Sequence, residues 1–222
     1  MSGQLEERLA AVHDRIAATG RAPDDIVVVA VTKGFGVDAV EAAAAIGLAD
    51  IGENYAHELA EKALASPGDD RRRWHFLGRV QRNKVRSIAS TVHLWQGVDR
   101  PAAGEEIARR APGAKVLVQV RIDAEPTARN GCDPDDVPAL VERLDGLGLN
   151  VRGLMAVGPR GGPELARAGF RKVSALADRL GLPERSMCMT DDLDVAVEEG
   201  STMVRVGRGL FGARPVSTQT RR

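Results

Sequence analysis

A single α/β domain folded as a (β/α)8 TIM barrel, with an extra helix at its N-terminus, is the architecture this sequence predicts, and three observations predict it. Short apolar, β-branched runs alternate with helical segments of about ten residues, a pattern that demands a parallel sheet. The alternation amounts to eight strand and helix pairs. No linker, composition break or low-complexity segment interrupts them, and 222 residues is a length that one α/β barrel fills. A doubly wound open sheet is the competing arrangement, because the second, third and seventh strands are short.

Leu5, Leu9, Val12 and Ile16 recur at helical spacing and place an amphipathic helix before the first strand. In "IVVVAVTKGFG", Ile26 to Gly36, six apolar residues and a threonine lead up to Lys33, which reads as a strand buried on both faces. Segment 37–47 is a helix with Gly47 at its stop, "DIGEN" (50–54) a very short strand, and 55–65 a helix closing near Pro67 and Gly68. "WHFLG" and "QRNKVRSIAS" form the third pair, "VHLWQGVD" and "RPAAGEEIARRA" the fourth. "KVLVQVRI" is the fifth strand, and its helix "VPALVERLDGLG" has Asp133 and Asp136 as competing caps, with Pro138 blurring the start. "NVRGLMAVG" is strand six, followed by a helix from Pro163 to Gly181. "RSMCM" (185–189) is strand seven, "DDLDVAVEEG" its helix, and "TMVRVG" strand eight. A last helix would be short. The domain spans 1–222, its core runs from about 26 to 214, and 215–222 reads as a flexible tail.

Composition excludes several function classes. With 31 acidic and 31 basic side chains and 43% hydrophobic residues, the chain is neither disordered nor steered by net charge toward nucleic acid or membrane. Two cysteines, Cys132 and Cys188, and four histidines give neither a disulfide framework nor metal-ligand spacing, and suit a reducing compartment. The first residues carry charges every few positions, with no apolar leader core, and no stretch approaches the ~18 apolar residues of a membrane span. A cytoplasmic monomer is expected.

In a barrel, reactive side chains stand at the C-terminal ends of strands, and phosphates bind after strands seven and eight. Lys33 is at such an end, either solvated or held in an apolar setting that favours the neutral, nucleophilic amine. Thr190 and Gly207 occupy the phosphate positions. "GRGLFG", Gly207 to Gly212, matches G-x-G-x-x-G, yet only ten residues follow it, whereas a dinucleotide fingerprint needs an acidic residue about 20 positions on. Its glycines suit a cradle of backbone N–H groups for an anion. Thr190 reads as the N-cap of its helix, with Asp191 and Asp192 in the first turn, or as a phosphate-binding hydroxyl. Arg205 lies inside an apolar strand and needs an acceptor, either a structural ion-pair partner or a ligand's ring nitrogen or phosphate. Seven cations between Arg71 and Arg86 read as an exposed helix face, because one Trp and one Phe make no stacking platform. His75 and His93 sit in apolar strands and read as hydrogen-bonded core residues. Nucleophile-elbow, Walker and H-E-x-x-H motifs are missing.

Taken together, the lysine after strand one, "IGENY", "WHFLGRVQRNK" and "SMCMTDDLDVAVEEGSTMVRVGRGLFG" resemble the pyridoxal phosphate homeostasis protein family, from about Ile26 to Arg214 and with the motifs in order. The resemblance implies a barrel similar to the N-terminal domain of alanine racemase, holding pyridoxal 5'-phosphate (PLP) as a Schiff base. By that resemblance Lys33 is the Schiff-base lysine, Asn54 lies near the ring, and Arg205 faces the pyridine nitrogen. Thr190, Gly207 and Arg208 hold the phosphate, with Ser186 beside them. Three positions depart from the family's usual residues: Cys188 stands for Gly, Thr190 for Ser, and Arg208 for Thr. Thr190 keeps a hydroxyl, while Arg208 leaves two options, a backbone contact or a new ion pair with the phosphate.

The same comparison bounds the activity. An arginine cannot give its proton to the pyridine nitrogen, so the ring is a poorer electron sink than with a carboxylate partner. A racemase of the related kind also needs a second base, a tyrosine from a further β domain, and the one tyrosine here is Tyr55. The resemblance therefore implies a PLP-binding protein that stores, buffers or delivers the cofactor to PLP-dependent apoenzymes without rapid turnover. The alternatives are a small amino-acid racemase using Lys33 with a water or cysteine, and a sugar-phosphate barrel enzyme without PLP.

Overall fold

The computed structural model describes residues 2–67, 71–122, 130–159 and 162–214. Eight parallel strands close on themselves in sequence order: β1 (Val27–Val31), β2 (Asp50–Glu53), β3 (Arg73–Phe76), β4 (Val92–Val98), β5 (Lys115–Val120), β6 (Asn150–Ala156), β7 (Glu184–Ser186) and β8 (Met203–Val206). The open-sheet alternative is thereby excluded, since β1 pairs with β8 in register, Val29 beside Arg205. The helices are α1 (Ser2–Ala18), α2 (Val37–Ala45), α3 (Ala56–Ala65), α4 (Arg82–Ile88), α5 (Pro101–Arg110), α6 (Val137–Gly146), α7 (Pro163–Arg179), α8 (Leu193–Glu198) and α9 (Arg208–Phe211).

Because α9 has four residues, too few to cover the β8–β1 seam, α1 packs against α8, α9 and α2 and buries Leu5, Val12 and Ile16 there. The extra helix thus does the covering that a full-length last helix would do. Strand alternation divides the core in two. Val29, Leu94, Leu117, Met155 and Met203 form a cluster of their own inside the barrel, while Val28, Ile51, Trp74, Trp95 and Val204 join the larger layer between sheet and helices.

Strand seven is shorter than the sequence predicts: β7 stops at Ser186 rather than running to Met189. Cys188 has φ 84°, the only positive value among the described non-glycine residues, and a left-handed residue cannot continue a pleat. His93 is exposed at the start of β4, a correction to its expected core position, whereas His75 is buried. Asp133 rather than Asp136 supplies the side-chain cap before α6, accepting from the Asp135 amide. The expected tail, 215–222, lies outside the described residues.

Candidate functional site

Alternation at the end of β1 sets the site. Val31 and Lys33 face the barrel mouth, so Thr32 between them faces outward, toward α3. There the buried Thr32 hydroxyl donates to Glu53 Oε1 at 2.5 Å, and Lys62 Nζ donates to the same oxygen at 2.6 Å, to the Thr32 carbonyl at 2.8 Å and to Glu58 Oε2 at 3.1 Å. Glu58 Oε2 also accepts from the Gly34 amide at 2.8 Å. Both chain neighbours of Lys33 are therefore pinned from outside the barrel. Sequence reasoning missed this cluster; the i,i+4 pair Glu58 and Lys62 was the available signal.

Lys33 is half-buried, and its amine is shifted below its ordinary value of 10.5, first by burial and then by the nearby cations Arg214 and Arg205, against the opposing pull of Glu53 and Glu58. It lines a 140 Å³ cavity together with Asn54, Thr190, Arg205, Gly207 and Arg208. Asn54, Arg208, Leu77, Met155, Val157 and Met189 also line an adjoining 630 Å³ cavity, so the small chamber opens into a larger polar mouth. Gly78 borders that mouth, and a Cβ there would collide with the Asn54 carbonyl oxygen.

Arg205 finds its acceptors within the barrel. Nη1 donates to the Ser186 carbonyl and hydroxyl oxygens, both at 2.7 Å, and Nη2 to the Ala156 carbonyl at 2.8 Å. The guanidinium is 5% exposed at residue level and yet lines the cavity, so it presents a fixed positive edge to whatever enters. Ser186 itself is fully buried and lines neither cavity; its hydroxyl is used between Arg205 and Gln96, not at the phosphate position.

Thr190 does not cap its own helix. Met189 stands at the cap position, its amide bound by the Asp192 carboxylate at 2.6 Å, and Thr190 Oγ1 accepts from the Gly209 amide at 3.3 Å. That contact brings the hydroxyl to the backbone donors that follow β8. Arg208 is exposed and pairs with Asp191 at 2.7 Å, an acceptor from its own surface. Two arginines of α1 support these loops from behind: Arg15 donates to the Thr190 carbonyl at 2.9 Å and pairs with Asp194, and Arg8 donates to the Leu210 carbonyl at 3.0 Å.

Known proteins resemble this chain over most of its length. The family model for the alanine racemase N-terminal domain matches residues 6–215. A pyridoxal phosphate homeostasis protein of Pseudomonas aeruginosa is 39% identical over 95% of this chain and 96% of its own length, and one of Escherichia coli K12 is 33% identical over 96% and 98%. The chain belongs to the pyridoxal phosphate homeostasis protein family. PipY of Synechococcus elongatus, solved with PLP bound, superposes with a TM-score of 0.77 at 30% identity, covering 90% of this chain and all of that one. An alanine racemase of Clostridium difficile shares the fold, with a TM-score of 0.74 at 15% identity over 97% of this chain and 58% of the racemase.

The left-handed backbone at position 188 is one that favours glycine, the residue the resemblance implies there, and this chain accommodates a cysteine instead. Cys188 is fully buried and burial pushes its thiol up to about 12; the Cys132 thiol is pushed up to about 11. Neither cysteine, nor Tyr55, which is 53% exposed, lines the two mouth cavities. The basic run around Arg71 to Arg86 is partly spent on structure, with Arg72 on Ser66 and Arg73 on Asp50. Among the described residues no helix is long and apolar enough to cross a membrane.

Proposed function

We propose that this protein binds PLP through a Schiff base at Lys33 and serves as a cytoplasmic store that buffers the cofactor or passes it to apoenzymes. The observation that carries the reading is a depressed lysine amine in the same 140 Å³ chamber as a buried, carbonyl-fixed arginine and the backbone donors after β8. These residues fit the group's three chemical handles. The Lys33 amine suits the aldehyde, Thr190 Oγ1 with the Gly207 to Gly209 backbone suits the phosphate, and Arg205 suits an unprotonated ring nitrogen. Asn54 would flank the ring. The PLP-bound PipY structure supports PLP as the ligand by kinship.

When bound, PLP supplies a carbonyl that condenses with an amine, and water leaves. The chain's contribution is to keep the Lys33 amine uncharged often enough to attack, to hold its backbone through Glu53, Glu58 and Lys62, and to fix an arginine that donates to the ring nitrogen without protonating it. Slow turnover is the reading that arginine supports, and neither Tyr55 nor a cysteine is among the residues lining the two cavities. The test is borohydride reduction of protein mixed with PLP, followed by peptide mapping. A reduced pyridoxyl group on Lys33 is expected, and its absence there overturns the reading. Exchange of an amino acid's α-hydrogen with deuterium faster than with free PLP would make the protein an enzyme instead.

A further inference from the structure

A line of hydrogen bonds crosses the barrel interior from the mouth to the opposite end. Arg205 Nη1 donates to Ser186 Oγ at 2.7 Å, and Ser186 Oγ donates to Gln96 Oε1 at 2.7 Å. Gln96 Nε2 lies 2.8 Å from His75 Nδ1, and His75 Nε2 lies 2.8 Å from Asp50 Oδ1. Asp50, the first residue of β2, is gripped in turn by Arg73 through both carboxylate oxygens. Ser186, Gln96 and His75 are each at most 1% exposed.

The donor and acceptor roles are forced. An arginine can only donate, so Ser186 Oγ accepts from it and spends its one proton on Gln96 Oε1. The amide nitrogen of Gln96 must then donate, which makes His75 Nδ1 an acceptor and puts the ring proton on Nε2, facing a carboxylate that can only accept. Burial alone would raise the Asp50 carboxyl, but the bonds from His75 and Arg73 bring it down to about 2, so it stays an anion. Every dipole in the line points the same way, from a cation at the mouth to an anion at the bottom, and buried chains of this kind polarise one another.

We propose that Gln96 and His75 are positioning residues for the cofactor: through Ser186 they fix the rotation of the Arg205 guanidinium that meets the ring nitrogen. This rests on the PLP reading above. The neighbouring Ala156 carbonyl holds only Nη2, so without the Ser186 hydroxyl the guanidinium keeps a backbone hold on each nitrogen but loses the side-chain acceptor that links it to the line.

Two variants test it, Ser186→Ala and Gln96→Leu, each checked by thermal melting. PLP affinity and the absorption maximum of the bound cofactor are measured for each, alone and combined with Arg205→Lys. Ser186→Ala, which loses one hydrogen bond to a charged group, is expected to weaken PLP binding by about tenfold, Gln96→Leu by severalfold, and both to shift the absorption band. Neither is expected to weaken binding further once Arg205 is lysine, because the effect passes through that residue. Additive losses, or parental affinity and spectrum in both variants, overturn the proposal. In the apoprotein, nitrogen-15 NMR gives a readout independent of the cofactor reading: separate, slowly exchanging Arg205 Nη signals and an Nε2-protonated His75 are expected in the parent, with the Arg205 Nη signals exchanging faster in Ser186→Ala, where only the two backbone carbonyls still hold them. Averaged Arg205 signals in the parent refute the line even where PLP binds Lys33, whereas resolved signals in a protein that takes no PLP refute only the cofactor reading.

Discussion

Replacing Lys62 by methionine probes the support beneath Lys33. Glu53 has a fully buried side chain, its Oε2 has no hydrogen-bond partner among the described residues, and Oε1 is shared by Lys62 and Thr32. Burial already raises its carboxyl above the ordinary 4.5, with Lys62 and Thr32 pulling the other way. Without the ammonium the carboxylate keeps one hydrogen bond, and the fold escapes by protonating it. At about pH 7 that escape costs at most the difference from 4.5, roughly 2.5 units at 1.36 kcal/mol each, or about 3.4 kcal/mol. For an acid whose folded-state value is raised, the penalty is present above that value and vanishes as pH falls to the unfolded one. Lys62→Met should therefore lose up to about 3 kcal/mol at about pH 7, a melting temperature lower by up to about 10 °C, and less than about 1 kcal/mol at about pH 5. Urea unfolding at the two pH values reads both numbers, and Glu53→Gln in the Lys62→Met background should recover about 2 kcal/mol at the higher pH. A loss that is the same at both pH values would refute the reasoning, because it would mean that no buried carboxylate was left uncompensated.

The other predictions concern the mouth and the far end of the barrel. Arg214→Ala removes a cation that keeps the Lys33 amine below 10.5, so PLP uptake followed by absorbance should slow at neutral pH and recover at alkaline pH, with Lys33 still the reduced residue. Arg15→Ala frees the Thr190 carbonyl and should raise the PLP dissociation constant several-fold while leaving the melting temperature of the apoprotein within a few degrees, as measured by calorimetry. Gly78→Ala should cost about 2 to 3 kcal/mol in urea unfolding, because the new methyl meets the Asn54 carbonyl and overpacks the mouth. Asp50 carries a depressed carboxyl, about 2 against an ordinary 3.8, so its contribution is complete above 3.8 and is lost as pH falls toward 2. Allowing for solvent screening, about 1 to 2 kcal/mol should disappear over that window in the parent and not in Asp50→Asn, which acid titrations of the melting temperature will show.

Lys33 and Arg205 were legible because a charge inside an apolar strand is costly enough to need a reason, and the strand count placed both at the mouth of a barrel. The place of Gly207 at the mouth was legible for the same positional reason. Ser186 was read as a phosphate neighbour from its place in a motif, whereas the inward face of β7 turns its hydroxyl to Arg205 and Gln96. Thr190 looked like a cap because its spacing is that of a cap, but Met189 takes the cap position and the Thr190 hydroxyl turns to the Gly209 amide.

Periodicity and chain order by themselves determined eight parallel units and put Lys33 at the end of the first strand, since hydrophobic alternation is a local property written residue by residue. Which buried polar groups meet was decided only by closing the ring. Glu53 and Lys62 are nine residues apart and Gln96 and Ser186 are ninety, yet both pairs lie within hydrogen-bond reach. No local pattern encodes such distances, because they follow from strand register and from which face each side chain takes once β1 pairs with β8.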